Sequence, residues 1–290
     1  MKKKNIISFD NYLSKEDKIL IQILIELVLV EDVGEGDITT KATINPKVLS
    51  MARLIAKQSG IISGLPLIPL VLKCKTKKYK LRLKVKEGIK VHPDQVIADI
   101  TAPAHVLLII ERVLLNFLQH LSGIATLTAQ YVEAVKPYKV DILDTRKTTP
   151  LLRLLEKYAV HVGGGVNHRY GLYDQILIKD NHIKIAGGIE NAILRARRKY
   201  PGMPIEVETK TLNEVRRAMF FHPEIILLDN MSPKMLRQAV KIVKHKALTE
   251  ASGGIHLKNI RQIAATGVDR ISIGALTHSA PALDLSLKII

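Results

Sequence analysis

VDILD (140–144), QILIKD (175–180), IEVE (205–208), IILLD (225–229), ALTEA (247–251) and RISIG (270–274) are short apolar runs that end in polar or charged residues, each followed by a helix-compatible stretch. Strands buried on both faces read as continuous runs of this kind, and their alternation with helices implies parallel pairing. The later runs recur at about the length of one βα unit, which predicts an α/β fold closing as a (βα) barrel. An open doubly wound sheet is the alternative, weakened because no GxGxxG follows the first strand.

Upstream the pattern changes. From Asp17 to Val30 the residues Ile19, Leu20, Ile23, Leu24, Leu27 and Val28 recur at three- and four-residue spacing, which predicts a helix with one buried face. EDVGEGDITT (31–40) gives a glycine-rich turn, and strand-like segments follow around Arg53–Ala56, Leu81–Val85 and Val96–Ile100. This is an α+β pattern with antiparallel character. Pro103 marks a break, after which Val106–Ala134 reads as helical segments interrupted at Ser122–Gly123, and a domain boundary is expected near Arg112.

The chain has 290 residues, 47% hydrophobic, long enough for one large domain or two ordinary ones and too apolar for a disordered polycation. Near the N-terminus the longest apolar stretch, Ile19–Val30, contains Gln22 and Glu26 and is too short to cross a bilayer, so no membrane span is expected. The opening MKKKNIISFDNYLS has no continuous apolar region or small-residue cleavage site, which argues against secretion. One cysteine, Cys74, excludes an internal disulfide, and a cytoplasmic protein is expected. The formal charge of +17 would suit nucleic acid, but 4% aromatic residues and no Trp leave few stacking platforms. In KCKTKKYKLRLKVK (73–86) basic residues alternate with apolar ones from Lys78 onward, as in a strand with one solvated basic face. A solvated surface or attraction of very anionic small substrates both fit, and no nucleic-acid partner is expected.

In a barrel the active groups sit at the C-terminal strand ends and in the loops after them. Those positions hold Arg146 and Lys147, Lys179, Glu208, Asp229, the run Ser252-Gly253-Gly254, and Gly274. Lys179 ends an apolar strand, where an unpaired charge is costly, so a functional role is favoured. Glu208 and Asp229 suit helix capping or a metal ion equally. Glycines before a helix expose amides that hold phosphate, while GGGVNHRYGL (163–172) joins three consecutive glycines to His168 and Arg169. Arginines match carboxylates bidentately, and lysines and glycine amides suit phosphates. A di-acid and a phosphorylated sugar are the implied substrates; a Schiff-base aldolase with its lysine at Lys179 remains open on these residues alone.

EDVGEGDITT (31–40), ERVLLNFLQHLSGIAT (111–126), DTRKTTP (144–150), GGGVNHRYGL (163–172), LIKDNH (177–182), EVE (206–208), LLDNM (227–231), EASGGI (250–255) and GALTHS (274–279) occur in the order of one family. Across nearly its whole length the chain resembles the quinolinate phosphoribosyltransferases, also called carboxylating nicotinate-nucleotide pyrophosphorylases. The resemblance implies an N-terminal α/β sandwich plus an incomplete (βα) barrel, divided as 1–113 and 114–278, with 279–290 a C-terminal helix on the sandwich. It implies transfer of phosphoribosyl from phosphoribosyl pyrophosphate to quinolinate, giving nicotinate mononucleotide, pyrophosphate and CO₂ with Mg²⁺, a step of NAD biosynthesis. It also implies a homodimer with shared sites, a hexamer being the alternative, in which Arg112 reaches across the interface. By motif, Arg146, His168 and Arg169 match the quinolinate contacts, with Lys147 and Lys179 near the carboxylates and pyrophosphate. Glu208 and Asp229 match the phosphoribosyl and Mg²⁺ site, directly or through substrate or water, with Ser252, Gly253, Gly254, Gly274 and His278 near the 5′-phosphate. Thr209-Lys210 and Asp94 depart from the usual pattern. A related phosphoribosyltransferase-like protein with another acceptor, and a basic nucleic-acid-binding protein on a degenerate barrel, are the competing readings.

Overall fold

The structure, a computed structural model, describes residues 8–290; the basic opening at 1–7, part of the argument against secretion, lies outside them. Its strands are β1 (Leu49–Ala56), β2 (Gly60–Ile61), β3 (Lys80–Leu83), β4 (Lys90–Val91), β5 (Val96–Pro103), β6 (Asp141–Leu143), β7 (Ile176–Ile178), β8 (Ile205–Thr209), β9 (Ile225–Asp229), β10 (Leu248–Ser252), β11 (Arg270–Ser272) and β12 (Leu285–Ile289). They divide between two compact units: one of residues 8–127, 149–164 and 280–290, the other of 128–148 and 165–279.

In the first unit an antiparallel sheet runs β12-β1-β5-β3. Ala52, Leu54 and Ala56 alternate onto its buried face, the two-residue period of a half-buried strand. The C-terminal helix expected over 279–290 is instead strand β12. Leu285 and Leu287 are buried while Ser286 and Lys288 alternate with them, a period of two that no helix satisfies, and the strand pairs Leu54 with Leu287. The expected break at Ser122–Gly123 is also absent, because Ala104–Ala134 is one helix. A Cβ on Gly123 would lie 2.2 Å from the Pro281 carbonyl oxygen, so this glycine admits a close chain rather than ending a helix. The Ser122 hydroxyl accepts from the Ser63 amide at 2.9 Å. That continuous helix crosses the boundary expected at 113/114; the division falls after Leu127, and residues 149–164 return to the first unit. The helix is long and apolar enough to span a bilayer by composition, but Leu107, Ile110, Leu114, Leu118 and Leu121 are buried, as in a core helix.

The helix Lys15–Val33 is capped by Ser14 and Asp17, but buries Ile21, Ile25 and Leu29. Ile19, Leu20, Ile23 and Leu27, expected inside, are exposed, so the helix is apolar on two sides. The basic strand is shorter than expected, four residues of β3 on the sheet edge, where Leu83 is exposed and Lys84 joins Arg53 on Asp99. Asp94 has a φ of 62°, which explains why glycine suits this turn, and Asp is one of the side chains that tolerate it.

The second unit is a parallel sheet in the order β6-β11-β10-β9-β8-β7. Four of the six quoted runs contain one of these strands and the other two, IEVE and ALTEA, stop one residue short of the ends of β8 and β10; Ile205, Val207, Ile226, Leu228, Ala251 and Ile271 supply the core. β6 and β7, consecutive in the chain, stand at opposite edges of the ladder, so the barrel is incomplete. The intervening helix Arg153–Val162 belongs to the first unit. Helices Leu212–Met219 and Pro233–Val243 follow β8 and β9 at once, fixed by the Thr211–Glu214 capping box and by the Ser232 cap with Pro233 in the first turn.

Candidate active site

A cavity of about 530 Å³ opens within the parallel-sheet unit and is walled by the C-terminal ends of its strands and the loops after them. All the candidates named above line it except Arg112, which is exposed in the first unit. Arg146 and Lys147 follow β6, Lys179 follows β7, Glu208 lies near the end of β8, Asp229 and Ser252 end β9 and β10, and Gly274 and His278 follow β11. Parallel pairing brings about this convergence, since every strand points the same way and delivers its last residues to one mouth.

Two arginines form the most cationic wall. Arg169 is 7% exposed, its Nη1 donating to the Gln175 carbonyl oxygen at 3.0 Å, and burial and the Arg146 charge both hold its pKa below the ordinary arginine range. A guanidinium so placed favours an anion. The loop carrying it is tied to β6: Asp144 Oδ1 accepts from the His168 amide at 2.9 Å and Oδ2 from Asn167 Nδ2 at 2.6 Å. Gly164, at φ 90°, supplies the turn that leads the chain into this loop. Lys147 is held by its carbonyl oxygen, which accepts from the Thr277 hydroxyl at 2.7 Å. Lys179 is exposed past the strand end, so the desolvation cost argued from sequence does not arise.

On the other wall stand the half-buried pair Glu208 and Asp229. The Glu208 carboxyl is pushed up by burial and then by the Asp229 charge, while Lys179 opposes the shift. Two carboxylates that repel each other in one wall are a donor set for a hard cation. Lys210, one of the departures from the family pattern, pairs with Asp180 at 2.8 Å beside them. Gly253 and Gly254 have φ of 91° and 62°, and the Asn259 side chain donates to the Gly254 carbonyl oxygen at 2.9 Å. A Cβ on Gly253 would lie 2.3 Å from Asn230 Oδ1, and Asn230 in turn donates to Asp229 Oδ1 at 3.0 Å. Gly253→Ala is therefore expected to displace Asn230, lowering Tm and raising the KM for the phosphorylated substrate at least about tenfold; thermal melts and steady-state kinetics check both.

Sequence reasoning missed two fully buried residues here, Glu250, which lines the cavity, and Glu206, which meets the same His168 ring. Their signal was a charged side chain in the middle of a run read as doubly buried, at the i−2 position of Glu208 and of Ser252.

The model of the quinolinate phosphoribosyl transferase N-terminal domain matches residues 37–122, and that of the C-terminal domain matches 124–288. The chain belongs to the quinolinate phosphoribosyltransferase family. Among its relatives, quinolinate phosphoribosyltransferase [decarboxylating] 1b of Nicotiana tabacum is 42% identical over 92% of this chain and 81% of its own length. The probable nicotinate-nucleotide pyrophosphorylase [carboxylating] of Bacillus subtilis is also 42% identical, over 92% of each chain. The crystal structure of NadC from Streptococcus pyogenes superposes with a TM-score of 0.91 at 38% identity, covering 96% of this chain and 99% of that one. The family membership thus extends over both units.

Proposed function

We infer that this chain is a carboxylating nicotinate-nucleotide pyrophosphorylase, which transfers phosphoribosyl from phosphoribosyl pyrophosphate to quinolinate and releases pyrophosphate and CO₂. The product, nicotinate mononucleotide, serves NAD biosynthesis. The observation that carries this, beside family membership, is one cavity with arginines on one wall, a carboxylate pair on another and a glycine turn between strand and helix. The assay is direct: nicotinate mononucleotide should form only when quinolinate, phosphoribosyl pyrophosphate and Mg²⁺ are all present. A folded protein making no product would move the assignment to another acceptor.

In this reading Arg146, Arg169 and His168 bind the two carboxylates of quinolinate and hold its ring nitrogen toward the sugar. As pyrophosphate departs, positive charge develops on the ribose, and Glu208 and Asp229 stabilise it, while Lys147 and Lys179 neutralise the leaving group. Ser252, Gly253, Gly254, Gly274 and His278 hold the 5′-phosphate. Loss of the 2-carboxylate then leaves a carbanion beside the newly cationic ring nitrogen, so the substrate is its own electron sink. Glu208 and Asp229 are also the residues that would hold Mg²⁺, whose mutual repulsion suits a cation, directly or through substrate or water. When bound, Mg²⁺ neutralises polyphosphate charge.

The enzyme works as a homodimer, or as a hexamer built from it, with Arg112 of one subunit reaching the other's site. The exposed Ile19, Leu20, Ile23 and Leu27 are an apolar face of the kind that a subunit contact covers. An Arg112→Ala homodimer should be inactive, and mixing it with an Arg146→Ala variant should restore about a quarter of native activity through the intact site of each hybrid. No recovery in subunit-exchange assays would argue against a shared site. The cytoplasm, a reducing compartment, suits a chain whose one cysteine is a free thiol.

A further inference from the structure

In the cavity wall, His168 Nε2 lies 3.1 Å from Glu206 Oε2 and 3.4 Å from Glu250 Oε1. Both carboxylates are fully buried, on β8 and β10, and His168 is 9% exposed. We propose that Glu250, together with Glu206, is a positioning residue that holds His168 as an imidazolium in the di-acid subsite. The proposal rests on the reading of His168 as a quinolinate contact.

An unprotonated Nε2 would turn its lone pair on two carboxylates, so Nε2 carries a hydrogen. Two buried carboxylates cannot both stay charged against a neutral ring without heavy cost. Other charges nearby include Arg169, which faces Glu206, Asp174 and Arg146, and Arg270, which faces Glu250. Asp144 takes the His168 amide, and Gln175 Nε2 donates to Glu206 Oε2 at 3.0 Å. Burial and the Glu206 charge push the Glu250 carboxyl up to about 7, with His168 opposing the shift. Glu250 is therefore an acid that can hold or release its proton beside the His168 ring. A dianion entering beside Arg146 and Arg169 draws that proton onto the ring, because only the ring gains from the new negative charge. The ring then carries the positive charge beside the dianion while the matching negative charge stays on buried Glu250, 3.4 Å from Nε2. The gain is one of distance and not of net charge, and the carboxylates fix the ring's orientation. In this cluster acids buried beside an anion site help to bind an anion.

The test starts with the native enzyme. With ¹⁵N-histidine labelling and quinolinate bound, the His168 ring, assigned by its loss in His168→Asn, should show both nitrogens protonated at pH 7. A neutral ring there would overturn the proposal, as would one zinc per chain by elemental analysis, since the same three side chains offer ligand atoms within 4.8 Å of one another. In Glu250→Gln the ring should lose its second proton at pH 8, and the KM for quinolinate should rise about tenfold with kcat changed less than threefold. The loss should be smaller at pH 6.5, and Glu250→Asp should restore part of it. A folded Glu250→Gln with native KM across that range would overturn the proposal; were it unfolded, the native spectrum still decides. A native quinolinate KM in His168→Asn would instead remove the di-acid reading itself.

Discussion

Arg169→Ala is expected to lower kcat/KM for quinolinate by about 10²–10³-fold, mainly through KM, and Arg146→Ala to act in the same direction. Removing one partner of a desolvated, hydrogen-bonded charge pair costs about 2–5 kcal/mol, and Arg169 is the most buried cation of the cavity wall. Its guanidinium is held beside Arg146 at a cost, seen in its depressed pKa, which Glu206 and Asp174 offset only in part and an arriving anion offsets further. Lys in place of Arg169 should recover little, because a point charge cannot reproduce the planar fork. Near-native quinolinate kinetics in both alanine variants would sink the assignment of this wall to the di-acid.

Glu208→Gln and Asp229→Asn should behave differently, each lowering kcat by about 10²–10³-fold while leaving the KM for quinolinate close to native. Both replacements keep shape and remove charge, and in the role proposed above the charge is needed when the sugar becomes cationic in the transition state. The pair should also be non-additive: once one carboxylate is gone the other no longer works against its repulsion, so the double variant should lose less than the product of the single losses. A large KM change with kcat intact would mean that these carboxylates bind the ground state instead. Single-turnover measurements separate the two outcomes.

The six β-strand runs were legible because doubly buried strands have no polar face, and the residues after them were legible as a site because a parallel sheet delivers all its C-terminal ends to one side. Other elements were misread for identifiable reasons. The helix Lys15–Val33 is apolar on two sides, and periodicity picks out an apolar stripe without saying which neighbour it meets. Ser122–Gly123 has the composition of a break, yet the glycine answers to Pro281, more than a hundred residues away. β12 was taken for a helix although Leu285 and Leu287 alternate with polar residues over a strand too short to insist on its own period.

By itself, then, the sequence determined what depends on local chemistry: the strand runs, the cations, acids and glycines at their ends, and through its ordered motifs the family. Only the tertiary structure decided which face of a two-sided helix is buried, that the C-terminus adds an edge strand to β1, and that Glu206 and Glu250 meet at His168. These are pairings between residues distant in the chain, and a side chain's spacing from its sequence neighbours carries no record of them. Whether a buried acid is a fault or a device depends on what stands 3 Å away, which the folded chain alone supplies.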